Sequence, residues 1–400
     1  MTGMRRILTA VLLVLAGVAA DAAEFIVGAD VSMLAEVERH GGRFFDEEGR
    51  PGDPLHILRA HGMNWVRLRL WHTPVNAADV MQDGRLLSRR GEPVGGGNNG
   101  LAQTLALAQR ARADGLKVLL DLHYSDFWAD PATQTKPAAW AQLHGRALQR
   151  AVRRYTADVL RAFREAGAPP DMIQIGNETN GGMLWPDGKT WQQTPGERIG
   201  GMKAFAALLR AGIAGVREHD RVTRGRLPVV IHLAGANDNP LFRRVFDMAR
   251  RERLDYDVIG LSYYPCYHGP ATAMRANLDD LATRYRKPLL IAEVASGYTL
   301  DNGDDTPNIF GPDSVTKGGY PASVEGQAAV LRDTIAAVAA VPHGLGLGVF
   351  YWEPAWIPVA GAGWRNGAGN NWENQALFDF QGRALPSMRA LRAPDTPAGR

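Results

Sequence analysis

The chain has 400 residues, 45% hydrophobic and 22% charged, with a formal net charge of only +3. That is ordinary globular composition, long enough to bury a large core as one large domain or two medium ones. The basic residues are mostly arginine and scattered, with no run of five or six, which excludes a charge-driven nucleic-acid surface; the single cysteine, Cys266, excludes an intrachain disulfide.

At the N-terminus, Arg5 and Arg6 precede an apolar run, Ile7–Val18, and then Ala19-Ala20-Asp21-Ala22-Ala23. This is the basic, apolar, small-residue order of a secretory signal, here residues 1–23. An uncleaved anchor is the alternative, but the run falls short of the roughly 20 residues of a membrane span. No later segment qualifies as one, so no stable membrane insertion is expected after cleavage. The mature chain is expected to begin near Asp21–Glu24. Export of a fold that needs no disulfide fits a bacterial periplasm or exterior.

Downstream, apolar β-type runs alternate with helical ones. Strands are predicted at Phe25–Val31, Trp65–Trp71, Lys117–His123, Met172–Glu178, Pro228–Leu233, Val258–Tyr264, Pro288–Val294 and Leu347–Trp352. Helices are predicted at Pro54–His61, Leu101–Asp114, Gly145–Ala166, Glu197–His219, Leu241–Arg251, Ala271–Arg286 and Val324–Val341, with a last one at Pro386–Leu391. Gly62, Gly115 and Gly167 follow three of them as stop signals. The Gly- and Asn-rich stretch Val94–Gly100 reads as a loop, and no low-complexity linker divides the chain. Near-continuous apolar strands alternating with helices imply a parallel sheet covered by helices. Eight such units over the chain from residue 24 to 400 predict a single (β/α)8 barrel with enlarged loops. A doubly wound open sheet is the competing fold, but Gly28-Ala29-Asp30 is not the glycine-rich phosphate turn it usually carries.

A barrel carries its working residues at the C-terminal ends of its strands. There stand Asp30, Arg67 with Arg69, His123, Asn177 with Glu178, His232, Tyr263 with Tyr264, Glu293, and Trp352 with Glu353. Two glutamates on strands four and seven face one another across a barrel mouth. Glycoside hydrolysis needs such a pair: one carboxyl protonates the leaving oxygen, and the other attacks the sugar carbon or activates water. Beside them, Asn177 is placed to hold a sugar 2-hydroxyl. Arg67 is placed to ion-pair with the strand-seven carboxylate and keep it ionised, and a strand-six tyrosine to hydrogen-bond it. The alternative is a buried Arg–Glu pair that serves packing only.

Aromatics crowd the same loops: Trp71, Trp128, Trp140, Trp185, Trp352, Trp356, Trp364 and Trp372. Sugar rings stack their C–H faces on flat aromatics, although any one tryptophan can equally be a core or loop anchor; Trp352 is the best platform. The expected substrate-binding set is Asp30, Arg67, Arg69, Trp71, His123, Trp128, Asn177, Trp185, Tyr263, Tyr264, Trp352 and Trp356. Asp121, His123 and Asp126 permit a metal reading, but without a second histidine at ligand spacing a hydrogen-bonding role for His123 is preferred. His232 reads as a satisfied barrel histidine. Cys266 follows Pro265 in a loop and lacks the paired histidine a nucleophile needs.

Several stretches are similar to one family. They are Gly28-Ala29-Asp30-Val31-Ser32, Val66–Trp71, Asp121-Leu122-His123-Tyr124-Ser125-Asp126-Phe127-Trp128-Ala129-Asp130-Pro131, Ile175-Gly176-Asn177-Glu178 with Leu184-Trp185-Pro186, and Ser262-Tyr263-Tyr264-Pro265. Ile291-Ala292-Glu293, Phe350–Ile357 with its Tyr-Trp-Glu-Pro-Ala-Trp core, and Asn374–Asp379 complete the set. Across almost the whole mature chain they resemble glycoside hydrolase family 53, the arabinogalactan endo-β-1,4-galactanases, in a clan of retaining (β/α)8 glycosidases. Asn-Glu marks only the clan; the long third-strand motif and Tyr-Trp-Glu-Pro-Ala-Trp are far more specific. The resemblance implies Glu178 as acid/base and Glu293 as nucleophile, with retention through a covalent galactosyl-enzyme. It also implies endo cleavage of β-1,4-galactan, the side chains of pectic type I arabinogalactan, by a monomer that needs no cofactor for the chemistry. Bacterial members carry a structural calcium after strand seven in an acidic-x-acidic-x-His-x-Asn run. The matching positions here are Asn302, Asp304, Thr306 and Asn308, with Asn370 and Glu373 closing the site. The first acidic residue is Asn and the His is Thr, but oxygen donors at alternate positions remain, which suits calcium. The chain departs from many members at Thr179-Asn180-Gly181-Gly182, where they carry a longer side chain.

Overall fold

The computed structural model describes residues 24–82 and 84–394; the expected signal segment lies outside them. Eight parallel strands close into a barrel. They are β1 (Ile26–Asp30), β2 (Trp65–Leu70), β3 (Lys117–Leu122), β4 (Met172–Ile175), β5 (Val229–Ala234), β6 (Val258–Tyr263), β7 (Leu289–Val294) and β8 (Gly346–Trp352), and β8 pairs back onto β1. Nearly every strand residue is buried, because helices cover the outer face and side chains fill the lumen. No helix of the described residues is long and apolar enough to cross a membrane.

The lumen is layered by the two-residue period of the strands. Ile26, Trp65, Leu119, Met172, Val230, Val258, Leu290 and Phe350, one from each strand, form an apolar plug at the N-terminal end. Phe350 fills its place because Gly28 stands opposite: a Cβ there would come within 2.4 Å of the ring. One inward position further along, Asp30, Arg67, Asp121, Gln174 and His232 are all fully buried and polar. Their mutual hydrogen bonds make this layer tolerable, and it forms the floor of the site.

The sequence reading differs from the structure at several boundaries. β4 ends at Ile175, not Glu178, because Gly176 takes φ +81° and turns the chain out of the sheet. The helix expected at Glu197–His219 runs over Gly201–Thr223, and the last expected helix is a 3-10 turn at Pro386–Ala390. Short helices at Leu34–Arg39, Pro265–His268 and Pro312–Gly318, and an antiparallel ribbon of Val80–Gln82 with Arg85–Ser88, were not foreseen. Each is too short to show a clear hydrophobic period.

Candidate active site

A cleft of about 150 Å³ opens at the C-terminal end of the barrel, lined among others by Arg69, His123, Asp130, Asn177, Glu178, Tyr264, Glu293 and Trp352. A larger hollow of about 560 Å³ lies apart, between the helices Gly145–Glu165 and Gly201–Thr223, around His144, Asp187 and Arg198, and holds no paired carboxylates. Volume therefore does not locate the chemistry here; the ionisable groups do.

Glu178 and Glu293 meet in the cleft with carboxylate oxygens within 4.8 Å of one another. Glu178 stands just beyond β4 in a left-handed backbone conformation, φ +45°. Ser262 Oγ on β6 donates to its Oε1 at 2.6 Å. Glu293 Oε1 pairs with Arg67 Nη1 at 2.8 Å, and its Oε2 accepts from the Tyr264 hydroxyl at 2.7 Å. Arg67 is completely shut away and also grips Asp30 at 2.7 Å, Asp121 at 2.8 Å and Asn177 Oδ1 at 2.8 Å. Its planar fork of five donors suits that multiple grip.

The two carboxyls differ in their surroundings. Burial pushes Glu178 well above the usual carboxylate range, and the negative charge of Glu293 adds to it, while the Ser262 hydrogen bond pulls weakly the other way. Burial also raises Glu293, but the Arg67 charge and the Tyr264 hydroxyl pull it back. Of the pair, Glu178 therefore holds the proton and Glu293 the charge. A protonated carboxyl and an ionised one, a few ångströms apart, can supply an acid and a nucleophile to the same bond.

His232 lies within the same 4.8 Å as the two glutamates, yet both its ring nitrogens are engaged. Nε2 meets Ser262 Oγ at 2.9 Å, and Nδ1 faces Asn177 Oδ1 at 3.0 Å and Gln174 Nε2 at 3.1 Å. Burial and the Arg67 charge hold it neutral, so it fits the satisfied barrel histidine of the sequence reading. His123 Nδ1 accepts from Trp71 Nε1 and from the Ala129 amide, both at 3.2 Å, and Nε2 lies 3.0 Å from Asp121. Its one lone pair is thus spent on N–H donors. Asp126 braces two loop amides, Thr73 and Ala138.

All of the expected substrate-binding residues except Trp185 fall into two groups. Arg69, His123, Trp128, Asn177, Tyr264 and Trp352 line the cleft. Asp30, Arg67, Trp71, Tyr263 and Trp356 do not; they stand behind the wall with at most 1% exposure and so brace it. Asp30 brackets Arg67 and Arg69. Trp71 packs edge-on to Trp128 and Trp356 on Trp364, and Tyr263 donates to Gly269 O. Arg69 stacks its guanidinium over Trp128, 4.6 Å from the ring centre, and also pairs with Glu353; burial pushes that acid up to about 8 despite Arg69. Trp364 and Trp372 complete the aromatic wall. Asp130, Tyr267 and Ile309 on that wall were missed: Asp130 stands in the third-strand motif without a role assigned to it, Tyr267 follows the β6 exit, and Ile309 lies far along the loop after β7 with nothing in sequence to mark it.

Trp185 lies outside the cleft lining and packs with Trp191 over Gly181, where a Cβ would come 2.7 Å from Trp191 Nε1 and 3.1 Å from Trp185. Gly182 is equally constrained, since a Cβ would meet Gly188 O at 1.8 Å. Two indoles and a backbone carbonyl thus fill the space next to the Gly-Gly pair, which gives a physical reason for its small residues.

In the loop after β7, Asp304 uses Oδ1 on the Thr306 amide at 2.6 Å and Oδ2 on the Asn370 amide at 2.7 Å. Asn302 Oδ1 accepts from Asn308 Nδ2 at 2.5 Å. Glu373 Oε1 accepts from the Gly303 and Asp304 amides. Asn308 Oδ1 and Glu373 Oε2 are buried without a hydrogen-bond partner. Two orphaned oxygens in an oxygen-rich loop fit a hard cation. Asn370 is a brace instead, with Nδ2 on Trp356 O and Oδ1 on the Trp372 amide.

Comparison with known proteins agrees with this geometry. The family model for glycosyl hydrolase family 53 matches residues 26–391. An Ignisphaera aggregans family 53 catalytic domain superposes with a TM-score of 0.82 at 43% identity, covering 92% of this chain and 95% of that one. The Bacillus subtilis endo-β-1,4-galactanase is 35% identical over 92% of this chain and 86% of its own. The Cellvibrio japonicus arabinogalactan endo-β-1,4-galactanase is 34% identical over 88% and 87%. A xylanase catalytic core at 15% identity and TM-score 0.54 shares the fold alone. With a family match over nearly the full length, resting on a barrel whose mouth carries two unlike glutamates, this chain belongs to glycosyl hydrolase family 53.

Proposed function

We propose that the protein is a secreted endo-β-1,4-galactanase that cleaves the β-1,4-galactan side chains of pectic type I arabinogalactan with retention. The observation that carries the mechanism is the approach of the Glu178 and Glu293 oxygens to within 4.8 Å. Oxygens that near are short of the roughly 6.5–9.5 Å that leaves room for an inverting water and fit the closer pair of a retaining enzyme. In this reading Glu293, kept ionised by Arg67 and Tyr264, attacks the anomeric carbon while Glu178 gives its proton to the leaving oxygen. Water then takes the reverse path: Glu178 accepts its proton, its oxygen joins the anomeric carbon, and Glu293 leaves. Asn177, beside the acid, holds the sugar 2-hydroxyl, and the tryptophan wall stacks the ring. The names of the relatives support galactan as the polymer, and the order of Arg5–Ala23 supports export. The enzyme acts as a monomer.

We further read Asn302, Asp304, Asn308 and Glu373 as holding a structural calcium, with the orphaned Asn308 and Glu373 oxygens as its donors. Bound there, the ion would tie the loop after β7 to the segment around Glu373 and take no part in the chemistry.

The test of the activity is proton NMR of linear β-1,4-galactan during digestion, with mannan and cellulose as controls. Oligosaccharides released first as β-anomers from galactan alone are expected. Inactivity on galactan, or release as α-anomers, would overturn the reading.

A further inference from the structure

Ser262 has no role in the chemistry described so far, yet it stands between both glutamates. Its hydroxyl oxygen is 2.6 Å from Glu178 Oε1, 3.3 Å from Glu293 Oε2 and 2.9 Å from His232 Nε2, with no solvent exposure. A register irregularity puts it there. β6 and β7 pair evenly up to Leu261 with Ile291; then Ala292 is skipped and Ser262 stands opposite Glu293. The skip turns Glu293 toward the serine although strand alternation would send it to the other face.

The polar contacts around Ser262 form a chain. The Glu178 backbone amide points at His232 Nδ1 at 3.4 Å, and the Gln174 amide nitrogen lies 3.1 Å from the same atom. Asn177 Oδ1, an acceptor, lies 3.0 Å from the same nitrogen, so three polar neighbours hold the imidazole ring in place with Nε2 turned toward the serine. Nε2 lies against Ser262 Oγ, and the Ser262 hydroxyl donates to Glu178 Oε1. The chain starts at the Glu178 amide and returns to the Glu178 carboxyl.

We propose that Ser262, oriented by His232, is a positioning residue for the acid/base: it occupies Glu178 Oε1, so that Oε2 carries the proton delivered to the leaving oxygen. The hydrogen bond to Oε1 changes from neutral to charge-assisted as Glu178 gives up that proton, and so is stronger in the transition state than in the ground state. No proton passes through the serine; its O–H bond stays whole while Glu178 loses a proton and later regains one from water. The inference rests on the acid/base reading of Glu178.

Two substrates separate positioning from packing. Galactan has a poor leaving group that needs the proton, whereas 2,4-dinitrophenyl β-1,4-galactobioside releases a phenolate that needs almost none. In S262A, kcat/KM on galactan is expected to fall about tenfold to a hundredfold, the equivalent of one charge-assisted hydrogen bond, with little change on the dinitrophenyl substrate. The basic limb of the galactan profile is expected to move to higher pH, because Glu178 loses a donor that favours its charged form. Glu293 on β7, Asp130 after β3, Arg67 on β2, His232 on β5 and Tyr264 and Tyr267 after β6 also face this acid, and none of them is altered. Equal losses on both substrates, or a basic limb that stays in place, would overturn the proposal. E178Q is the separate control: if it cleaves galactan like the wild type, the acid/base reading itself falls, whatever the serine does.

Discussion

Arg67 Nη1 stands 2.8 Å from Glu293 Oε1, and the guanidinium that makes this contact has no solvent exposure. Arg67 also holds Asp30, Asp121 and Asn177, so one side chain ties Glu293 to residues of three other strands and their ends. A lysine keeps the charge but not the fork. R67K is expected to lose about a hundredfold or more in kcat/KM, since breaking a buried ion pair costs roughly 3 kcal/mol or more. Its acid limb is expected to move to higher pH, because the shorter-reaching ammonium stands further from Glu293 than the guanidinium whose charge opposes burial. A variant with only KM raised and the acid limb unmoved would show that Arg67 merely packs.

His268 ties acidity to stability. Its Nδ1 accepts at 2.9 Å from the backbone amide of Tyr264, the residue whose hydroxyl holds Glu293. Burial, with the Lys317 charge adding, pushes His268 down from 6.5 to about 4. Between those values the unfolded chain binds the proton and the folded one does not, so stability falls as pH drops through that window and is fully present above it. Melting temperatures followed from pH 6.5 to 4 should fall less steeply in H268N, whose side-chain oxygen can still accept from Tyr264. Identical slopes in the two proteins would mean that this ring does not titrate on unfolding.

The calcium reading predicts that millimolar calcium raises the melting temperature of metal-stripped enzyme by a few degrees. E373Q, which loses the buried charge at the site, should respond much less. A melting temperature indifferent to both calcium and chelator would refute a stabilising site.

The barrel and its paired carboxylates were readable because each rests on a short-range pattern. A run such as Trp65–Leu70 announces a buried strand, and a charged residue at its exit announces the mouth. The contacts of Arg67 and Tyr264 with Glu293 followed from those positions. Ser262 was not readable, because its place depends on the skipped Ala292, a property of strand register that no residue type signals. Nor was the division of labour among the tryptophans. Trp352 and Trp356 share one motif, but Glu353 takes φ +53° between them, and Trp356 ends fully buried behind the wall. The packing of Trp191 on Gly181 joins residues of one irregular loop, where no periodicity reports what touches what.

Glu178 keeps a left-handed backbone, φ +45°, that glycine adopts freely and asparagine more easily than glutamate. Holding a longer side chain there costs the fold about 1 kcal/mol or more. Mutation under stability alone would drift this position toward Gly or Asn, and each such step would remove the carboxyl of the proposed acid/base. A lineage that used the barrel only to hold sugar would have had no reason to resist that drift. A glutamate at this strained position is a cost that the proposed acid/base role explains and that sugar binding without cleavage leaves unexplained.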